Sequence, residues 1–243
     1  MNAAALREIA PGLHTRSPAP LPPLEHYRLI AFDMDSTLIN IECVDEIAAA
    51  AGRGPEVAAI TEAAMRGEIP HFRDSLMRRL ALLQGVSESA LEQIWQQRLR
   101  PNPGAAQLIL AARAAGLKVL LVSGGFSWFA ERLRPLLGLD FTRSNQLEIL
   151  EGRLTGRLLP QSWGDIVDGP MKRQTLLDTC SLLGIPPSQA IAVGDGANDL
   201  DMMAAAGLSV AYRAKPKVRE RASVLINEGG LDRLLTALGE SAA

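Results

Sequence analysis

Short apolar runs that stop abruptly at acidic or glycine-rich loops constrain this chain more than any other feature of its sequence. The first is Arg28-Leu-Ile-Ala-Phe32, which ends at Asp33-Met-Asp-Ser-Thr37. The pattern recurs in Lys118-Val-Leu-Leu-Val122 before Ser123-Gly-Gly125, and in Ala190-Ile-Ala-Val193 before Gly194-Asp-Gly-Ala-Asn-Asp199. Leu208-Ser-Val-Ala211 and Val224-Leu-Ile226 are two further runs. Such runs are too short for helices and lack the alternation of a half-exposed strand, so they read as strands buried on both faces. Helical patterns fill the gaps, over Gly104–Ala115, Ser127–Leu137, Met171–Leu183 and Leu200–Ala206. Most are closed by a glycine (Gly116, Gly138, Gly184, Gly207), where a left-handed cap is easy. Strand, helix, strand at this spacing predicts crossover units and an α/β fold with a Rossmann-like parallel sheet.

Three segments depart from the alternation. Residues 41–103 hold helical patterns at Val44–Ala51, Glu56–Arg66, Phe72–Leu83 and Ser87–Arg100 with no convincing strand, and Pro101-Asn-Pro103 punctuates the return. They are expected to form an inserted helical cap, a four-helix lid on the sheet. Leu147 to Arg157 alternates around Glu151-Gly152 and predicts a small β-hairpin. Residues 1–26 carry Pro11, Pro18, Pro20, Pro22 and Pro23 and read as an irregular, proline-rich arm. The expected division is thus an arm over 1–26, an α/β core over 27–40 and 104–243, and a cap over 41–103. A length of 243 residues suits one large domain with an insertion.

Charge and cysteine content narrow the function classes. Lys plus Arg is 25 against 27 for Asp plus Glu, so no global field draws the chain to nucleic acid or to an anionic membrane. A small-molecule substrate is the expected partner, with the chain a monomer or homodimer. Cys43 and Cys180 offer neither a disulfide framework nor metal-ligand spacing, which suits a reducing, cytoplasmic setting. No stretch approaches the ~18–20 apolar residues of a membrane span, and the N-terminus lacks a signal-peptide core.

In open parallel sheets, ligands bind outside the carboxyl ends of the strands. The polar residues that end the strands therefore converge: Asp33, Asp35, Ser123, Asp195, Asn198 and Asp199. Carboxylates packed so closely repel unless a cation is present, and a hard divalent ion with oxygen ligands, Mg²⁺ above all, resolves the conflict. Lys172 near a helix start and glycine-rich turns with inward N–H groups add a phosphate cradle. Phosphoryl transfer needs charge neutralisation and an in-line nucleophile, and this set offers both.

In order and spacing, Asp33-Met-Asp-Ser-Thr37, Ser123-Gly-Gly125, Lys172 and Gly194-Asp-Gly-Ala-Asn-Asp199 resemble the four motifs of the haloacid dehalogenase-like phosphohydrolases. Thr61-Glu-Ala-Ala-Met-Arg-Gly67, Arg79 with Ala81-Leu-Leu83, Asp165-Ile-Val-Asp168 and Ala214-Lys-Pro-Lys-Val-Arg-Glu220 narrow the resemblance to the phosphoserine phosphatase family, over about residues 28–238. The resemblance implies Mg²⁺-dependent hydrolysis of O-phospho-L-serine through an aspartyl-phosphate, ending serine biosynthesis. A related phosphomonoester such as phosphohomoserine or phosphothreonine, or transfer to an alcohol, stays open. By the same resemblance Asp33 is the nucleophile and Asp35 the acid and then base. Asp33, Asp35 (through its backbone carbonyl) and Asp195 bind the metal. Ser123, the Gly124 amide, Lys172 and Asn198 hold phosphate, while Glu42 meets the substrate ammonium and Arg79 its carboxylate. Asp199 either supports the metal and its waters or caps a helix. Met65 and Phe72 either line the lid or pack its core. Ile69-Pro-His-Phe72 is one residue longer than the family pattern, and the long Leu159–Trp163 segment has no assigned role. Cys43 is expected to be a buried, inert thiol.

Overall fold

The computed structural model describes residues 6–164 and 166–240; Asp165, one carrier of the resemblance, and the Met65 side chain lie outside the described residues. In chain order the strands and helices begin with β1 (Arg7–Ala10), β2 (Leu13–Thr15) and β3 (Leu29–Phe32). Four helices follow: α1 (Cys43–Ala50), α2 (Gly54–Met65), α3 (Phe72–Ala81) and α4 (Glu88–Gln97). Next come α5 (Ala105–Ala114), β4 (Lys118–Phe126), α6 (Ser127–Leu137), β5 (Phe141–Asn145), β6 (Leu147–Leu150) and β7 (Arg153–Leu158). The chain then runs through α7 (Gly169–Leu183), β8 (Ala190–Gly194), α8 (Leu200–Ala205), β9 (Leu208–Tyr212), α9 (Pro216–Arg219), β10 (Val224–Ile226) and α10 (Arg233–Ala237).

Eight strands form one sheet in the order β1-β2-β10-β9-β8-β3-β4-β5, and β6 and β7 pair separately. From β10 to β5 every neighbour is parallel. The apolar runs are explained by two-sided burial. Period-two alternation sends Ile30 and Phe32 into a cluster with Leu108, Phe129 and Leu133, while Leu29 and Ala31 face Leu176, Cys180 and Met202. After β3 the chain builds outward through β4 and β5, then returns to lay β8 on the other side of β3. That reversal puts the switch point, and hence the crevice, at the carboxyl ends of β3, β4 and β8.

The N-terminal expectation needs correcting. Residues 7–15 are not irregular: β1 and β2 form an antiparallel pair, and β2 pairs antiparallel with β10, closing one edge of the sheet. Pro11 sits in the turn between β1 and β2 and the other four prolines lie beyond the hairpin, so none interferes with a ladder. β5 is a strand the sequence reading lacked, because Phe-Thr-Arg-Ser-Asn has no apolar run. Its pairing extends β4 through Ser123 to Phe126, with a bulge between them, where a loop was expected.

Helices α1 to α4 leave and rejoin the sheet through two chain segments that are tied together. Asn40 N–H donates to the Arg100 carbonyl at 3.0 Å, and Arg100 N–H to Asn40 Oδ1 at 2.7 Å. Buried Asn102 donates Nδ2 to the carbonyls of Thr37 at 2.8 Å and Ile39 at 2.9 Å. A third tether comes from the β6–β7 hairpin, through Gly85 N–H to Leu154 O, Leu154 N–H to Val86 O and Glu88 N–H to Gly152 O, each at 2.8 Å. Among the described residues no helix is long and apolar enough to cross a membrane.

Leu13 on β2 is wholly buried against the main core cluster. Leu13→Ala is expected to destabilise the protein by about 2–4 kcal/mol in urea unfolding, the cost of a core cavity. An effect near zero would return the arm to the status of an appendage.

Candidate active site

The site is organised by one buried ammonium. α7 starts at Gly169, two residues earlier than the sequence pattern, because Asp168 caps it by accepting the Met171 N–H at 2.9 Å. Lys172 in the first turn is completely buried and points to the sheet ends. Its Nζ lies 2.7 Å from Asp33 Oδ1 and 2.7 Å from Asp199 Oδ1. Burial alone would lower the Lys172 pKa, but the two carboxylates outweigh it and raise it above the ordinary lysine value. Asp33 Oδ1 also accepts the Met34 N–H at 2.7 Å, so both donors converge on one carboxylate oxygen.

Asp199 proves to be a structural hub rather than a simple cap. Its Oδ2 accepts the N–H groups of Asp195 at 3.1 Å and Gly196 at 3.0 Å, fixing the turn after β8. Thr37 Oγ donates to Asp195 Oδ1 at 3.1 Å and orients the remaining carboxylate. Asp33, Asp195 and Asp199 each offer an oxygen within 4.8 Å of the others, all three buried. Burial first, then the Asp199 charge, pushes Asp195 up to about 6, and the same causes raise Asp33 well above the carboxylate range. Three buried carboxylates around a single ammonium leave negative charge uncompensated. An all-oxygen donor set with that excess fits a hard divalent cation.

Asp35 stands apart from this trio. Its Oδ1 accepts the Cys43 N–H at 3.3 Å, so its carboxylate leans toward the start of α1. Burial, followed by the Glu42 charge, pushes Asp35 up to about 7, poised to hold or release a proton near neutrality. This approach is possible only because residue 125 is glycine: a Cβ there would lie 2.6 Å from Asp35 Oδ2. Ser123 Oγ accepts the Gly125 N–H at 2.9 Å. Glu42 accepts the Ser36 hydroxyl at 2.6 Å. Half-buried Arg79 donates Nε to the Ser75 carbonyl at 3.3 Å; burial lowers its pKa and the carboxylates of Asp45, Glu42 and Asp35 hold it up, whereas Arg78 is exposed. Asn198 is half-buried on the turn that carries Asp199, its Oδ1 over Gly196.

Phe72 reaches from α3 onto the sheet: a Cβ on Gly124 would lie 2.8 Å from its Cζ, so the ring rests on that glycine. The longer Ile69–Phe72 segment therefore does not keep Phe72 from the crevice. Trp163 lies elsewhere, with the Arg143 guanidinium 5.2 Å from its ring; Arg143 also bonds Thr175 Oγ at 3.2 Å, so this loop is pinned to β5 and α7. Cys43 is buried, and burial, then Asp35, pushes its thiol up, as an unreactive sulfur requires. The sequence reading gave no role to Thr37 or Asn102. Asn102 sits inside the Pro-Asn-Pro signal, where two prolines drew all the attention.

A family model of haloacid dehalogenase-like hydrolases matches residues 27–207, spanning the four phosphohydrolase motifs above. The chain belongs to the haloacid dehalogenase-like hydrolases. Among relatives of this hydrolase, a phosphoserine phosphatase from Polaromonas sp. (strain JS666) is 65% identical over 94% of this chain and 97% of its own. Another, from Idiomarina loihiensis, is 49% identical over 88% of this chain and 94% of its own. Among solved structures, a substrate-bound phosphoserine phosphatase complex superposes with a TM-score of 0.79 at 37% identity, covering 86% of this chain and 97% of that one. A phospho-aspartyl intermediate analogue of phosphoserine phosphatase gives the same score and identity, covering 86% and 98%.

The charge excess sets a pH dependence. The folded protein holds Asp35 and Asp195 protonated to about 7 and about 6, well above the ~4 of an unfolded carboxyl. Between about pH 4 and 7 the native state binds more protons than the unfolded chain, so stability falls as pH rises. Asp140 and Glu148, whose pKa values are lowered, have the opposite slope, which is spent as pH passes through the ordinary carboxylate range at the acid end of that window. Metal-free protein is expected to melt at least about 3 °C lower at pH 8 than at pH 5, and millimolar Mg²⁺ to recover the difference at pH 8. Thermal melts rising from pH 5 to pH 8 without metal would refute the uncompensated cluster.

Proposed function

We propose that this hydrolase cleaves O-phosphoserine to serine and inorganic phosphate through an aspartyl-phosphate on Asp33, closing serine biosynthesis. One conjunction supports the reading: the Lys172-bridged carboxylates would form the floor of the site, and Glu42 and Arg79, whose charges both act in the Asp35 neighbourhood, its rim. A dianionic phosphate suits the floor. An acid and a fork-shaped base suit the ammonium and carboxylate of an amino acid. The names of the similar proteins support the same substrate.

Lys172 opposes the burial and the neighbouring carboxylates that raise the Asp33 pKa, favouring its ionised form, and neutralises phosphate charge. Ser123 Oγ, already an acceptor from Gly125 N–H, keeps its hydrogen to donate to a phosphate oxygen, and the Gly124 amide and Asn198 add donors. Asp33 attacks phosphorus as the phosphorus–oxygen bond to serine breaks, and protonated Asp35 gives its proton to the departing serine oxygen. Water then attacks the phosphorus, Asp35 takes the water's proton, and the bond to Asp33 breaks. A pKa near 7 lets one carboxyl serve both half-reactions. Asp33 and Asp195, with the Asp35 backbone carbonyl, would hold Mg²⁺, which supplies charge neutralisation on the transferred group. Phe72 over Gly124 suits a lid that excludes water, with residues 41–103 as its moving part. The two buried free cysteines favour a reducing, cytoplasmic compartment.

Phosphate release with Mg²⁺ from O-phosphoserine, phosphothreonine, phosphohomoserine and an aryl phosphate tests the reading. Phosphoserine is expected to be preferred, and Asp33→Asn to abolish all turnover. Arg79→Ala is expected to raise KM for phosphoserine roughly tenfold to a hundredfold, with little change for the aryl phosphate, which has no carboxylate. Equal losses on both substrates would remove Arg79 from the pocket, and preference for another phosphomonoester would replace the substrate.

A further inference from the structure

Asn145, the last residue of β5, is a buried side chain to which neither the motifs nor the chemistry above gives a role; it is 1% exposed. Both ends of its amide are engaged. Nδ2 donates to the Gly124 carbonyl at 2.8 Å, and Oδ1 accepts the Val167 N–H at 3.0 Å. The first partner can only accept and the second can only donate, so the amide orientation is fixed by its surroundings.

The Gly124 carbonyl belongs to the same peptide unit as the Gly125 N–H. The chain contains no cis peptide among its described residues, so these two groups point in opposite directions from one rigid plane. Asn145 grips one end of that plane, and Ser123 Oγ accepts from the other at 2.9 Å. Neither glycine carries a side chain that could hold the plane in place. Rotation of this peptide would withdraw the N–H from Ser123 and free its oxygen to act as the acceptor of some other donor. The second bond, to Val167, sits five residues before Lys172, on the segment that leads into α7. The Val167 carbonyl also closes on Gly124, 3.1 Å from where a Cβ would stand.

We propose that Asn145 is a positioning residue for phosphate binding: by clamping the Gly124–Gly125 peptide it commits Ser123 Oγ to accept from Gly125 N–H and so to donate its hydrogen to the substrate phosphate. The inference rests on the reading of Ser123 as a phosphate ligand. It acts through Ser123, not by touching substrate.

A double-mutant cycle on the full-length enzyme with O-phosphoserine tests it, with inorganic phosphate as the competitive probe. Asn145→Leu is expected to lower kcat/KM roughly tenfold and to raise the inhibition constant of phosphate in step. In a Ser123→Ala background the same change is expected to alter kcat/KM less than about twofold, since the hydroxyl it serves is gone. Factors that multiply across the cycle would overturn the proposal and leave Asn145 a merely structural residue. Should Asn145→Leu fail to fold by circular dichroism, Asn145→Asp keeps the volume and sets a carboxylate oxygen against the Gly124 carbonyl. It is expected to show the same loss and the same dependence on Ser123, and wild-type kinetics for it would overturn the proposal. A Ser123→Ala enzyme with unchanged kcat/KM would remove the phosphate-ligand reading itself, a failure distinct from additivity.

Discussion

Everything in the crevice is arranged around a lysine ammonium buried between two carboxylates. Removing such a charge from water is expensive unless its hydrogen bonds are all met, and deleting one partner of a buried pair leaves the other uncompensated. Lys172 comes from the first turn of α7, Asp33 from the end of β3, and Asp199 from the turn after β8. Three separate elements are thereby locked at one point. The further bonds from Asp199 to the Asp195 and Gly196 amides carry the constraint into the β8 turn, and Thr37 returns it to β3. One ammonium nonetheless cannot balance three carboxylates, and the residual charge is what invites a divalent cation.

Much of this was legible from residue order because burial on both faces leaves a strand with no choice but apolar residues. Leu29–Phe32 and Ala190–Val193 announce themselves in that way, and their acidic successors follow from the register, in which Phe32 lies beside Val193 and Leu121. β5 was invisible for the opposite reason. At the sheet edge Thr142, Arg143 and Ser144 face surroundings that tolerate polar groups, so no apolar signature is required. The N-terminal hairpin was hidden by its prolines, although Leu13 is as deeply buried as any core residue. Asn102 and Asn145 exemplify a more general blindness. A buried amide that bonds backbone carbonyls looks in sequence like any loop asparagine, and only the fold shows which carbonyls it meets.

The helical insertion supplies residues from both sides of its path. Glu42 stands where it leaves the sheet and Arg79 lies near the end of α3, yet the charge of each is coupled to Asp35. Its linkers are bonded to each other at Asn40 and Arg100, and its far side is stitched to the β6–β7 hairpin. Motion of the insertion relative to the sheet is therefore restricted to directions that preserve these ladders.

The pairing of β2 with β10 has a consequence for neighbouring molecules. A parallel sheet that ended at β10 would expose a fully apolar strand, Val224-Leu-Ile226, whose free backbone groups could template another chain. The hairpin replaces that edge with β1, four residues long, bulged between Glu8 and Ala10 and bearing Arg7 and Glu8 at its start. At the opposite margin β5 is five residues long and carries Arg143, held by Thr175. Both margins thus offer an incoming strand a brief, charged and irregular track, and cross-molecular strand addition is disfavoured at each end.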